Sequence, residues 1–170
     1  MGSSSRIEGL SFAPLAPLVQ QVSERHREDI YEGNRHRIFS LAFYMTDSEP
    51  QAESVMEQTF LRAFRAYKKP TAEQLDRSLV SELREESPIG QLSMNEEPAA
   101  QASVRGNTKR VDMERAVVQL PATERMIFLM HDVEAYDHTR IARTLGISEE
   151  ESKKALFQAR LGIRRLLKSN

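Results

Sequence analysis

The chain has 170 residues with 39% apolar and 29% charged side chains, a formal net charge of −1 and no cysteine. That composition suits one domain or two small ones and excludes disulfides, cysteine zinc sites and thiol catalysis. No run of 18 apolar residues is present, so no segment reads as a membrane span.

Strong helix formers dominate, and no stretch is rich in Val, Ile and Thr, so the fold class reads as all-α. Two small helical domains are expected, joined by a flexible linker. The boundaries read as 1–23 for a flexible N-terminal extension, 24–90 for the first domain, 91–111 for the linker and 112–170 for the second. The stretch Leu10–Val19 is mildly apolar, but with Pro14, Pro17 and no cleavage site it does not read as a signal peptide.

The first helix is expected from Arg27 to about Met45, with Ile30, Tyr31, Ile38, Leu41, Ala42 and Met45 on one stripe. The second has a start signal in Ser48, Pro50 and Gln51, which together resemble a capping box. Its apolar positions are Ala52, Val55, Met56, Phe60, Ala63, Phe64 and Tyr67, and Lys68-Lys69-Pro70 closes it. A third helix starts at Thr71, with Gln74 at the box position and Leu75, Leu79, Val80 and Leu83 as its stripe. Residues 87–109 hold Pro88, Gly90, Pro98 and Gly106 among polar residues without apolar period, the mark of a linker.

Four short helices are expected after it. They are Met113–Gln119, then Ala122 or Thr123 to His131, then Asp137 as cap through Leu145, and last a helix capped by Ser148 with Glu151 at the box position. Asp132–Tyr136 reads as a turn. Ile141, the small Ala142, Leu145, the C-cap glycine Gly146 and Ile147 have the spacing of a helix-turn-helix, whose second helix lies in a major groove. Ser152, Leu156, Ala159, Ile163 and Leu166 form the inner face of that second helix. Arg140, Lys153, Lys154, Phe157, Gln158, Arg160 and Arg164 are the candidate DNA contacts. Lys and Arg suit phosphates, while Gln158 and Lys154 suit base edges.

Charge is evenly spread: residues 113–170 carry ten basic and eight acidic groups, too little for avid solitary DNA binding. His26, His36, His131 and His138 lack metal-ligand spacing, and there is no phosphate-binding glycine loop. Neither a cofactor nor a metal is expected, and the chain does not read as an enzyme.

Leu120-Pro121, Arg125 to Leu129, Asp132 to Tyr136, Ile141-Ala142, Leu145 to Ser148, Lys153 and Ala159-Arg160 resemble region four of an extracytoplasmic-function (ECF) sigma factor. That region reads the −35 promoter element. The family's usual acid before Ile141-Ala142 is here Arg140, its common Val is here Ser152, and its common Arg is here Ala155. The segment Ala52 to Arg62 resembles region two, which docks on the clamp of the core RNA polymerase β′ subunit. Ser54 replaces an acid, and Glu57-Gln58 reverses the usual pair. The resemblance therefore implies Glu53, Glu57, Gln58 and Arg62 as polymerase contacts. It also implies promoter DNA and core polymerase as partners, an anti-sigma factor as a further one, and a bacterial cytoplasmic location.

One departure is larger. The family melts and reads the −10 element with an aromatic-basic stretch, and aromatic rings stack well on unpaired bases. Here residues 71–90 contain no aromatic residue and carry a net charge of −3, a sign that repels a DNA backbone. The leading reading is a sigma factor. The alternatives are a sigma-like regulator that has lost promoter melting and acts on an anti-sigma factor or polymerase, and a dimeric helix-turn-helix repressor. The sequence leaves open whether the two blocks pack together.

Overall fold

A computed structural model describes residues 16–87, 89–90 and 110–168, with side chains from Ser23 onward. Most of the expected linker and extension lies outside the described residues. The elements in order are α1 (Ala16–Thr46), α2 (Glu49–Ala66), α3 (Ala72–Leu83), α4 (Arg110–Val118), α5 (Ala122–Phe128), a π turn (Leu129–Val133), α6 (His138–Leu145) and α7 (Glu149–Lys168). No strand occurs among the described residues. No described helix is long and apolar enough to cross a membrane.

α1 begins eleven residues before the expected start, at Ala16. Its apolar stripe opens only at Ile30, so periodicity could not reach the earlier turns. Pro17 sits in the first turn, where its missing N–H costs nothing. α1 ends at Asp47, which takes a positive φ of 52°; Thr46 Oγ1 donates to Ala42 O at 2.9 Å. The box expected at Ser48 is not made: Ser48 is extended (φ −149°) and its side chain caps nothing, while Pro50 sits in the first turn of α2. The box at Thr71 is made. Gln74 N donates to Thr71 Oγ1 at 3.2 Å and Thr71 N to Gln74 Oε1 at 2.9 Å.

α4 starts at Arg110, inside the expected linker and three residues before Met113. Arg110 Nε reaches Glu114 Oε1 at 2.8 Å, an i,i+4 pair that supports this first turn. The helix from Ala122 does not stop for a turn at Asp132. It widens into the π turn, closed by Glu134 N donating to Leu129 O at 3.0 Å. The polar run Asp132 to Glu134 hid this, because it breaks the apolar period without breaking the hydrogen bonding. Ala135 then takes a φ of +57° and turns the chain toward α6.

α1 packs on α2 and α3, and α7 packs on α4, α5 and α6. These two helical units are not held apart. α1 also meets α4 and α5, α3 meets α6, and the buried side chains form one cluster from Ile38 and Leu79 through Met126, Ile141 and Leu156. Leu120, Met126, Ile127 and Met130 are each at most 3% exposed within it, and burial of such apolar side chains is the driving force that holds the cluster together.

Candidate nucleic-acid interface and partner-docking face

The helix-turn-helix is built as its sequence suggests. Asp137 Oδ1 accepts from Arg140 N at 2.7 Å and caps α6. Gly146 closes α6 in the left-handed region (φ 70°, ψ 37°), with its N–H donating to Ala142 O at 2.8 Å. Glycine meets that conformation at no steric cost. Ile147 N donates to the same carbonyl at 3.1 Å. Ser148 and Glu151 make the capping box of α7: Glu151 N donates to Ser148 Oγ at 3.1 Å, and Ser148 N to Glu151 Oε2 at 2.7 Å. That bond holds the Glu151 carboxyl below its usual range.

α7 buries Ser152, Ala155, Leu156, Ala159 and Ile163 and turns its other side outward. Lys153, Phe157, Arg160 and Arg164 follow one another at helical spacing along the exposed side, and Phe157 is 55% exposed. Lys154 and Gln158 flank them, with Gln158 half-buried beside a cleft of about 260 Å³ that runs to Leu120, Pro121 and Glu124. Six of the seven candidate DNA contacts therefore lie together on α7.

Two of the seven are already engaged. Arg160 grips Asp132 of the π turn through both oxygens, Nε to Oδ2 at 3.0 Å and Nη2 to Oδ1 at 2.6 Å. Burial alone would raise the Asp132 pKa; the hydrogen bonds from Arg160 and His131 overcome it and hold that carboxyl low. Arg140 does not join α7 at all. Its guanidinium lies 3.6 Å over the Tyr136 ring and its Nη2 reaches Asp76 Oδ2 of α3 at 2.7 Å.

The sequence pattern did not reveal this meeting of α3 and α6. Asp76 is 0% exposed. Its other oxygen pairs with Arg37 of α1, whose Nη1 also donates to Tyr136 Oη at 2.7 Å. Burial opposes charge on Arg37, yet Asp76 beside it raises the guanidinium pKa. Burial and the Asp76 charge push the Tyr136 hydroxyl up to about 12. Along the same seam Arg143 reaches Glu73 at 3.3 Å, and Arg84 donates to Leu145 O, the last carbonyl of α6. Further round, Arg125 donates to Met45 O at 2.9 Å at the end of α1, and Gly90 N to Thr123 Oγ1 at 2.8 Å.

Two of the four scattered histidines are brought together. His131 and His138 stack with centroids 4.8 Å apart, and His138 Nδ1 lies 2.9 Å from the buried Ser152 Oγ. Ser152 thus keeps its core position through a polar partner that the apolar periodicity could not show. No cluster suited to a metal ion occurs among the described residues.

On the first unit, α2 buries Ala52, Val55, Thr59, Phe60 and Ala63. Glu53, Glu57 and Gln58 are exposed on its other side. Arg62 is exposed as well but is tied to α3, pairing with Glu82 and, at 2.9 Å, with Glu85. Four of the five acids of residues 71–90 are thereby matched: Glu82 and Glu85 by α2, Asp76 by α1 and α6, and Glu73 by Arg77 at 2.8 Å and by Arg143.

Residues 110–161 match the family model "Sigma-70, region 4". That match spans the C-terminal unit from α4 into α7. Nine solved chains match the fold. One is the sigma factor RpoE from Bartonella quintana, solved in complex with the anti-sigma factor NepR, with a TM-score of 0.60 at 16% identity over 83% of this chain and 98% of that one. No curated protein matches in sequence. The chain thus shares the fold of that sigma factor over 83% of its length.

Proposed function

We propose that this chain directs core RNA polymerase to promoters, with α7 reading the −35 element and α2 docking on the β′ clamp. The observation that carries the reading is the exposed face of α7, where Lys153, Lys154 and Phe157 stand clear of the core within the region 4 match and Arg164 continues the same face just beyond it. Lys and Arg there suit the phosphates, and Phe157 offers an apolar surface of the kind that meets a thymine methyl. Arg160, oriented by Asp132, presents a fixed guanidinium rather than a mobile one. Glu53, Glu57, Gln58 and Arg62 supply a polar face for the polymerase. The setting is the bacterial cytoplasm, and an anti-sigma factor is a further partner under this reading, as one is for the Bartonella protein. No catalytic step belongs to it.

In vitro transcription with core polymerase tests this. Promoter-dependent transcripts that fall at least tenfold in Lys153→Ala/Lys154→Ala support it. Failure of the full chain to bind core polymerase in a pull-down, together with no transcript, would sink it.

A second reading has its own observation. α3 and the residues after it lack aromatic side chains, and the α3 carboxylates face α1, α2 and α6. A regulator that keeps the architecture but does not melt the −10 element fits that helix. Robust strand opening by reconstituted holoenzyme would eliminate it.

A further inference from the structure

We infer that Arg140 and Arg143 of α6 are a phosphate-binding pair which the chain masks with its own Asp76 and Glu73, a latch that closes region 4 onto α3 until a nucleic-acid backbone competes for the arginines. The inference rests on the proposed DNA reading for its ligand, while the latch itself rests on the seam. α3 presents to α6 what a DNA strand presents, a row of anionic oxygens along one edge. Asp76 Oδ2 lies 2.7 Å from Arg140 Nη2, and Glu73 Oε2 lies 3.3 Å from Arg143 Nη2. At the far end Arg84 donates to Leu145 O, so a cation meets the C-terminal carbonyls of α6, the end that favours one.

The two halves of the latch differ in strength. Asp76 is fully buried and shared with Arg37, and Arg140 is stacked on Tyr136. Glu134 faces the same group, and burial raises its pKa. Arg143 is 57% exposed and Glu73 28%, so this second pair is open to salt and to a competing anion. The α7 face lies clear of the seam. A duplex can therefore be caught first by Lys153 and Lys154, which brings its phosphates toward α6 at high local concentration. Exchange of carboxylate for phosphate on Arg143, then on Arg140, keeps each guanidinium paired with an anion throughout.

The chain has no cysteine, so Glu28→Cys on α1 and Lys168→Cys on α7 give two exposed labelling sites on the full-length protein. Distances between the labels, and binding of a short B-form duplex across a salt series, are measured with Asp76→Asn and Glu73→Gln in that background. The latch predicts longer label distances for Asp76→Asn. It also predicts tighter duplex binding, because the parent must break its own pairs before both arginines reach phosphates: roughly twofold to fivefold for Glu73→Gln, as suits an exposed pair, and more for Asp76→Asn. A folded Asp76→Asn with unchanged distances and affinity overturns the latch and leaves the DNA reading standing. Labels that part while no variant binds the duplex overturn the DNA reading and leave the latch standing. If Asp76→Asn does not fold, Glu73→Gln decides, and an affinity equal to that of the parent overturns the inference.

Discussion

Glycine to alanine, made at two helical positions and at one helix cap, should change stability with three different outcomes. At Gly146 an added Cβ meets nothing within 4 Å, but the residue holds φ +70°. The cost is therefore conformational only, roughly 1–2 kcal/mol for an L residue in the left-handed region. The smaller entropy of the unfolded alanine chain returns part of it, leaving a net loss of about 1 kcal/mol. Gly33 lies inside α1, with open space around its Cβ and no positive φ. The same substitution should stabilise there by about 0.5–1 kcal/mol, because glycine is a poor helix former. At Gly162 the new methyl would lie 2.8 Å from Leu120 Cδ2, and Leu120 is only 3% exposed. Overpacking of about 1–3 kcal/mol outweighs the helix gain there, so a net loss of about 0.5–2 kcal/mol is expected. Urea unfolding followed by far-ultraviolet circular dichroism reads all three, provided the slope with urea stays constant. Gly146→Asn should cost less than Gly146→Ala, since Asn tolerates the left-handed region. If Gly146→Ala stabilises as Gly33→Ala does, the turn between α6 and α7 is not left-handed in solution, and the helix-turn-helix geometry argued from it fails.

Other outcomes follow from the same structure. Lys153→Ala/Lys154→Ala should lower the salt dependence of duplex binding by about 1.8, at roughly 0.9 per lost phosphate contact, without changing the unfolding midpoint; an unchanged slope would place the DNA elsewhere. Arg125→Met should destabilise by about 2–4 kcal/mol in urea, because it strips a charged donor from Tyr44 O, Met45 O and Leu120 O at once, and a loss under 1 kcal/mol would mean that α1 and α5 are held by apolar packing alone. His138 has a pKa lowered from 6.5 by burial and by His131, Lys153 and Arg160, against a smaller opposing effect of Glu149. The unfolded chain then binds that proton more readily, so stability should fall as pH drops from about 7 to 5. His138→Gln should flatten that part of the profile; an unaltered profile would refute the assignment.

Much of this architecture was legible in the sequence, and the reason is local. The stripes of α2, α3 and α7, the Thr71 and Ser148 boxes and the glycine at 146 each depend on residues within four positions of one another. Periodicity reports such relations directly. The misreadings are also local. The Ser48 pattern satisfied the same rule as Thr71, yet its side chain caps nothing, because spacing records an opportunity and not the rotamer that takes it. The π turn carries one extra residue through Asp132 and Val133, which shifts the period and looks like an ending. The start of α1 escaped notice because helix propensity without an apolar stripe is a weak signal.

Charge was the least legible quantity, and α3 shows why. Counted along the chain, residues 71–90 carry −3 and look hostile to DNA. Counted in space, Arg37, Arg62, Arg140 and Arg143 stand against those acids, from positions 39, 20, 64 and 70 residues away. No window of sequence contains both halves of these pairs. The consequence reaches the functional reading. A local negative charge on α3 argues against that helix as a strand-opening surface only while the chain is open. In the closed arrangement the same carboxylates hold Arg140 and Arg143, two cations that the C-terminal unit's modest count of ten includes. Any force that draws α3 away, whether a clamp seated on the neighbouring α2 face or a phosphate taking its place, returns both positive charges to the domain that carries α7. Engagement of the first unit and DNA affinity of the second would then be coupled through one helix, with a sign that the linear charge count does not predict.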